Sequence, residues 1–144
     1  MDSDREHLRA DCSGCTGLCC VAPAFAASTD FAESKPAGTA CRHLAADSRC
    51  GIHPSLRERG YVGCTVYDCF GAGQQTSQVT FAGQSWRDGE PVASAAFAAF
   101  PVMRQLHEML WYLADASGRV EARSLHEAVS VLQQRIEALT WSDP

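Results

Sequence analysis

The clearest pattern of apolar and polar positions lies in the last third of the chain. From about Val92 the sequence reads as helix. Met103, Leu106, Leu110 and Leu113 recur at three- and four-residue steps, which puts them on one face. Pro101 suits the first turn of a helix, and Gly118 is a fitting stop. Ser124-Leu-His-Glu127 has the form of a capping box, so a second helix is expected to start there. Leu125, Val129, Leu132, Ile136 and Leu139 then make a heptad-like stripe. Two helices joined by a short turn read as an antiparallel hairpin. The stripes are expected to be core. An alternative leaves part of the second stripe exposed for a protein partner or a homodimer.

Upstream the periodicity fades. Val79 and Phe81 alternate with polar neighbours and suggest a short strand. Gly71-Ala-Gly73 lacks the further Gly and the Lys of a phosphate-binding loop and reads as a flexible link. Residues 21–40 are rich in Ala, Ser, Gly and Pro, with Phe25 and Phe31 as expected anchors. That stretch reads as a long loop or short helix. The expected fold is mainly α: an irregular Cys-rich, metal-stapled N-terminal module over residues 1–75, followed by a helical C-terminal region over 76–144, packed as one unit.

Composition narrows the function classes. The net charge is −5 over 144 residues, and no basic stripe appears, so a nucleic-acid partner is not expected. No apolar run approaches the roughly 18 residues of a membrane span, and the N-terminus has neither the basic start nor the apolar run of a secretory signal. A cytoplasmic protein is therefore expected.

The cysteines carry the candidate chemistry. All eight lie between Cys12 and Cys69. In a reducing compartment such density points to metal or redox chemistry more than to disulfides. Cys12-Ser-Gly-Cys15 places two sulfurs within reach of one ion. Cys19 and Cys20 are adjacent, and their side chains diverge, so they are expected to serve different ions, or only one of them is a ligand. Gly14 and Gly17 allow tight turns around a metal. Cys41, Cys50, Cys64 and Cys69 complete the set. Four thiolates close one tetrahedral zinc site, so eight suffice for two, or for one zinc and one iron–sulfur cluster. His43 and His53 have ligand-like spacing to Cys41 and Cys50, but eight thiols leave neither required. His107 and His126 are expected on polar helix faces.

The run Cys12-x2-Cys15-x3-Cys19-Cys20, then Cys41-x-x-Leu44, Cys50-x-Ile52 and Cys64 through Tyr67-x-Cys69, resembles the zinc- or iron-chelating domain of bacterial Cys-rich proteins (the YkgJ type). The resemblance covers residues 12–70 and implies metal binding by all eight Cys. His53 stands where that family commonly has Tyr, which argues against it as a ligand. Stretches such as Phe31-Ala-Glu-Ser-Lys35-Pro36-Ala-Gly38, Gly63-Cys64-Thr-Val-Tyr67-Asp68-Cys69-Phe70-Gly71 and Phe100-Pro101-Val-Met are similar to the N-terminal region of actinobacterial pentapeptide-repeat proteins. The repeats themselves are absent here, so nothing that depends on a repeat solenoid carries over.

The expected function is a metal-binding protein holding zinc, the preferred ion, or iron, in a site that is structural or metal-carrying. Two alternatives remain open: an iron–sulfur redox protein or enzyme, and an adaptor using the helical hairpin. No hydrolase constellation is present, and an all-Cys set favours a closed site over a catalytic one.

Overall fold

The computed structural model describes residues 3–142, without the side chains of positions 3, 4, 120 and 122. The described residues contain helices and irregular chain but no strand. A 3-10 helix, Ser3–Leu8, opens the fold, and two further 3-10 turns carry the first cysteines. Helix α1 (Val62–Val66) and helix α2 (Ala72–Gln74) follow, and α2 runs directly into a π-helix, Gln75–Thr80. Helix α3 (Glu90–Ser117) and helix α4 (His126–Thr140) form the C-terminal hairpin.

Helix α3 exists because one face of it buries Ala93, Ala96, Phe100, Met103, His107 and Leu110 in turn. The Met103-to-Leu113 stripe is therefore core, as its spacing predicts. The helix starts eleven residues before Pro101, however, and Pro101 lies inside it. An internal proline removes one hydrogen bond and crowds the preceding turn, at about 3 kcal/mol. Burial of Ala96, Phe100 and Met103 on either side of it offsets that cost. The helix ends at Gly118 as expected, although Gly118 stays right-handed, at φ −80°.

Helix α4 corrects a second expectation. The Ser124–Glu127 capping box does not form. A 3-10 turn, Val120–Leu125, intervenes, and Leu125 caps α4 with no side-chain hydrogen bond. The capping box of this fold lies at Ser85 and Asp88, ahead of α3. The α4 stripe also splits. Val129 and Ile136 are buried, whereas Leu125, Leu132 and Leu139 are 59%, 45% and 55% exposed. A helix with a single neighbour buries only one narrow stripe, and five heptad positions are too many for it.

The core has three parts. Leu18 and Val21 from the Cys-rich segment pack with Ala72 and with Ala96, Phe100 and Met103 of α3. At the other end, Leu8, Leu110 and Ile136 join the N-terminal turn to the hairpin, with Arg5 Nη2 donating to Asp115 Oδ1 at 3.1 Å. The third cluster, Ile52, Leu56 and Tyr61, is local to the Cys-rich segment and takes in Phe25 and Phe31. Those two rings stack at 4.4 Å and anchor the irregular 21–40 stretch as expected. That stretch folds back through paired hydrogen bonds between Phe25 and Lys35.

The strand expected at Val79 and Phe81 is instead the π-helix and its exit. Alternation over three residues fits either state, and here packing decides: Thr76 and Ser77 are buried on the helical face. Nor is Gly71-Ala-Gly73 a flexible link. All three residues are buried, and Gly71 turns the chain into α2 at φ +79°.

Candidate functional site

The eight cysteines reach the same region from five backbone segments. The first segment is fixed by side-chain hydrogen bonds. Asp11 caps the turn Cys12–Gly14 by accepting from Ser13 N at 2.9 Å. The helical element 72–80 then reads the edge of this loop. The Asp11 amide donates to Gln74 Oε1 at 3.1 Å, Gln78 Nε2 donates to Gly14 O at 2.9 Å, and Thr16 N donates to Ser77 Oγ at 3.0 Å. From the other side Trp86 Nε1 donates to Thr16 O at 2.8 Å.

Gly73 explains why α2 can lie so close. A Cβ there would sit 2.7 Å from Cys15 Sγ and 3.8 Å from Cys69 Sγ. The absent side chain is what lets these two thiols, 54 residues apart in sequence, share one small space. Cys69 is aimed by an unusual turn. Phe70 has φ +52°, its amide donates to Asp68 Oδ1 at 2.8 Å, and its carbonyl lies 2.7 Å from His107 Nδ1. His107 is thus a buried, 2% exposed hydrogen-bond partner and not the polar-face residue its helix position suggested. Its pKa is lowered, first by burial, with the Phe70 carbonyl opposing.

Cys19 and Cys20 sit in a 3-10 turn that follows Gly17 at φ +79°. Leu18, 1% exposed, plugs that turn into the core. The backbone then links Cys20 to the later cysteines. The Cys41 amide donates to Cys20 O at 2.8 Å, the Leu44 amide to Cys41 O at 2.9 Å, and the Gly51 amide to His43 O at 2.8 Å. The Leu44–Cys50 bridge carries Cys50 to this side. Cys64 arrives on α1, whose Gly63 amide donates to Asp30 O at 3.0 Å.

Electrostatics sort the thiols into two neighbourhoods. Burial raises Cys12, with Cys15, Cys69 and Cys20 adding repulsion. Burial also raises Cys15, with Cys69 as its thiol neighbour. Cys64 is pushed up to about 11 by burial and then by Cys20, Cys41 and Cys50, and Cys50 is raised by burial and then by Cys20 and Cys41. Cys19 and Cys20, Sγ to Sγ 4.0 Å, stand where the neighbourhoods meet. Either thiol can donate across that contact, and the coupling raises Cys19 and lowers Cys20. Besides Cys20, Cys19 senses Cys15 and Cys69. Cys12, Cys15, Cys19 and Cys69 thus influence one another, as do Cys20, Cys41, Cys50 and Cys64, and Cys20 also acts on Cys12 and Cys19, so the two neighbourhoods are continuous.

All eight thiols are free. Among the described residues, no three His, Cys, Asp or Glu side chains already stand in a metal-holding arrangement. His43 packs edge-on against Tyr61 at 5.2 Å, and His53 is exposed at the start of a 3-10 turn.

Sequence reasoning missed Lys35. It is 5% exposed, and its ammonium donates to four backbone carbonyls: Val21 at 3.2 Å, Pro36 at 3.2 Å, Thr39 at 2.7 Å, and Pro23. Burial lowers its pKa, and Cys41 and Cys20 act against that shift. The available signal was its singularity, because the chain has eleven Arg and one Lys. A compact ammonium suits converging carbonyls, whereas a planar guanidinium does not.

A stretch of 139 residues, 96% of this chain, is 48% identical to the uncharacterized protein YybG of Bacillus subtilis (strain 168). The chain spans about half the length of that curated relative, 50%. No protein-family model matches the chain. No solved structure matches it either.

Proposed function

We propose that this is a metal-binding protein that holds zinc, or alternatively iron, through two neighbouring sets of four cysteine thiolates. The observation that carries the reading is the gathering of free thiols from distant segments, with Cys19 and Cys20 4.0 Å apart and Cys15 and Cys69 both beside Gly73. Four thiolates are the complete ligand set of a closed tetrahedral zinc site. The donor set suits that group chemically, being all sulfur, and the glycine at position 73 leaves room for Cys15 beside Cys69. Cys12, Cys15, Cys19 and Cys69 would hold one ion, and Cys20, Cys41, Cys50 and Cys64 the other. A bound ion would supply the staple that the small apolar cluster Ile52–Leu56–Tyr61 cannot. The role is structural or metal-carrying, in a reducing compartment such as the cytoplasm. Among the described residues no helix is long and apolar enough to cross a membrane.

The test is elemental analysis of protein purified without oxygen, with a visible spectrum of the same sample. Two zinc per chain and no colour is the expected result. Iron with sulfide and a brown colour that bleaches on reduction would replace zinc by a cluster and move the protein to electron transfer. Absence of any metal would overturn the reading.

A second reading concerns the hairpin. Leu125, Leu132 and Leu139 form an exposed heptad row on α4, and Trp141 beyond it is 69% exposed. This favours docking of a second copy in an antiparallel α4 pairing. Sedimentation of the wild type against Leu132→Glu tests it: a dimer that the substitution dissociates is expected, and a monomeric wild type ends it.

A further inference from the structure

The irregular loop that follows Cys20 closes around a cation that the chain itself supplies. Lys35 is the single lysine of the sequence and is 5% exposed. Its ammonium donates to Val21 O and Pro23 O on the outgoing limb of the loop, and to Pro36 O and Thr39 O on the returning limb. Three N–H bonds thus serve four carbonyls that converge from two stretches of backbone. The Phe25 ring lies 5.5 Å from Nζ, within cation–π reach.

A buried ammonium whose partners are all neutral is costly unless fixed dipoles take the place of its water. The four carbonyls do so, and their convergence on one point suits a compact ammonium better than a planar guanidinium. The same cage joins the limbs of the loop. Backbone bonds run both ways between Phe25 and Lys35, at 3.0 and 2.8 Å, and Gly38 N donates to Ala22 O at 3.2 Å. Just beyond the cage, Cys41 N donates to Cys20 O at 2.8 Å. The limbs that carry Cys20 and Cys41 therefore meet where the ammonium bridges them. Removing it would take a donor from the carbonyl of fully buried Val21.

We infer that these four carbonyls form a primary-ammonium site which the chain fills with its own Lys35, and that closure of the 21–41 loop, with Cys41 set beside Cys20, depends on that site being occupied.

The experiment uses the reduced full chain as purified. Lys35 is the only side-chain amine, so acetylation by an amine-reactive ester, mapped by mass spectrometry, reads the cage directly. In the folded wild type Lys35 is expected to react roughly 10-fold or more slowly than in urea. Lys35→Ala removes the side chain beyond Cβ. Hydrogen exchange over residues 22–41 is then expected to quicken roughly 10-fold or more, while the Leu110–Ile136 end of the hairpin keeps its protection. Propylammonium has the shape and charge of the missing part, and rising concentrations are expected to restore protection. 1-Propanol has the same shape without the charge and is expected to restore none. A Lys35 that acetylates as fast in the folded chain as in urea overturns the inference, and this holds even where Lys35→Ala does not fold. So does a Lys35→Ala loop that stays protected, a loop that propylammonium fails to restore, or one that propanol restores equally.

Discussion

Residues 12–70 and the α3–α4 hairpin hold their shape by different means. The hairpin is conventional: Leu110 and Ile136 meet across it, Leu8 closes its end, and apolar burial does the rest. The Cys-rich region has little apolar mass of its own. It depends on side chains that reach across to backbone, namely Asp11, Gln74, Gln78, Ser77, Trp86 and Lys35. Hydrogen bonds of this kind each contribute only about 1 kcal/mol net. Such a region specifies geometry well and supplies stability poorly. A bound ion would correct that imbalance, which is why perturbing the thiols should separate the two regions.

The largest effect is expected from Cys41→Ser, or from stripping metal with a chelator. Hydrogen exchange should show residues 12–70 opening, together with the first half of α3, whose Ala96, Phe100 and Met103 pack on Leu18 and Val21. The Leu110–Ile136 end should stay protected. Uniform protection throughout would erase the contrast between the regions.

Leu110→Ala is the reciprocal change. It should cost about 2–5 kcal/mol in chemical denaturation while metal content per folded chain stays constant. Loss of metal in that variant would mean that the regions are one cooperative unit.

Gly73→Ala probes their junction. Its Cβ would meet Cys15 Sγ at 2.7 Å, so about 1–3 kcal/mol of overpacking is expected, together with weakened zinc retention by the first thiol group. Unchanged retention would show that Cys15 can yield without consequence.

The smallest effect concerns acid. The folded pKa of His107 lies below its ordinary 6.5 because it is buried. The unfolded chain therefore takes up a proton first. The stability associated with the neutral ring is complete above about pH 6.5 and is lost as pH falls through the interval down to the folded value. His107→Gln keeps an N–H for the Phe70 carbonyl and does not titrate. Its melting temperature relative to wild type should rise as pH is lowered from 8 to 5, and a constant difference would contradict the assignment.

Much of the hairpin was legible in the chain because helical periodicity is local. The Met103–Leu110 face and the Gly118 stop needed no partner to be read. Pro101 was misread because a local rule treats proline as a boundary, while burial on either side outweighs its cost. Ser124 was misread because the capping motif is satisfied only if the backbone enters the helix there, and here a 3-10 turn delays it. At the candidate site, the adjacency of Cys19 and Cys20 suggested a division between two ions, and that division belongs to the proposal. Lys35 could not be assigned in the same way. Its four carbonyl partners lie from one to fourteen residues away and converge only after the 21–40 loop has folded back.

The sequence by itself determined the mainly helical class, the positions of the hairpin helices and the concentration of all thiol chemistry before residue 70, because these follow from composition and short-range periodicity. Only the tertiary structure decided which thiols are neighbours, that His107 is buried, that Gly73 makes room for Cys15 and Cys69, and that a lysine is caged beside Cys20 and Cys41. Those features depend on segments far apart in the chain meeting in space, and that meeting is set by packing across the whole fold rather than by any local pattern.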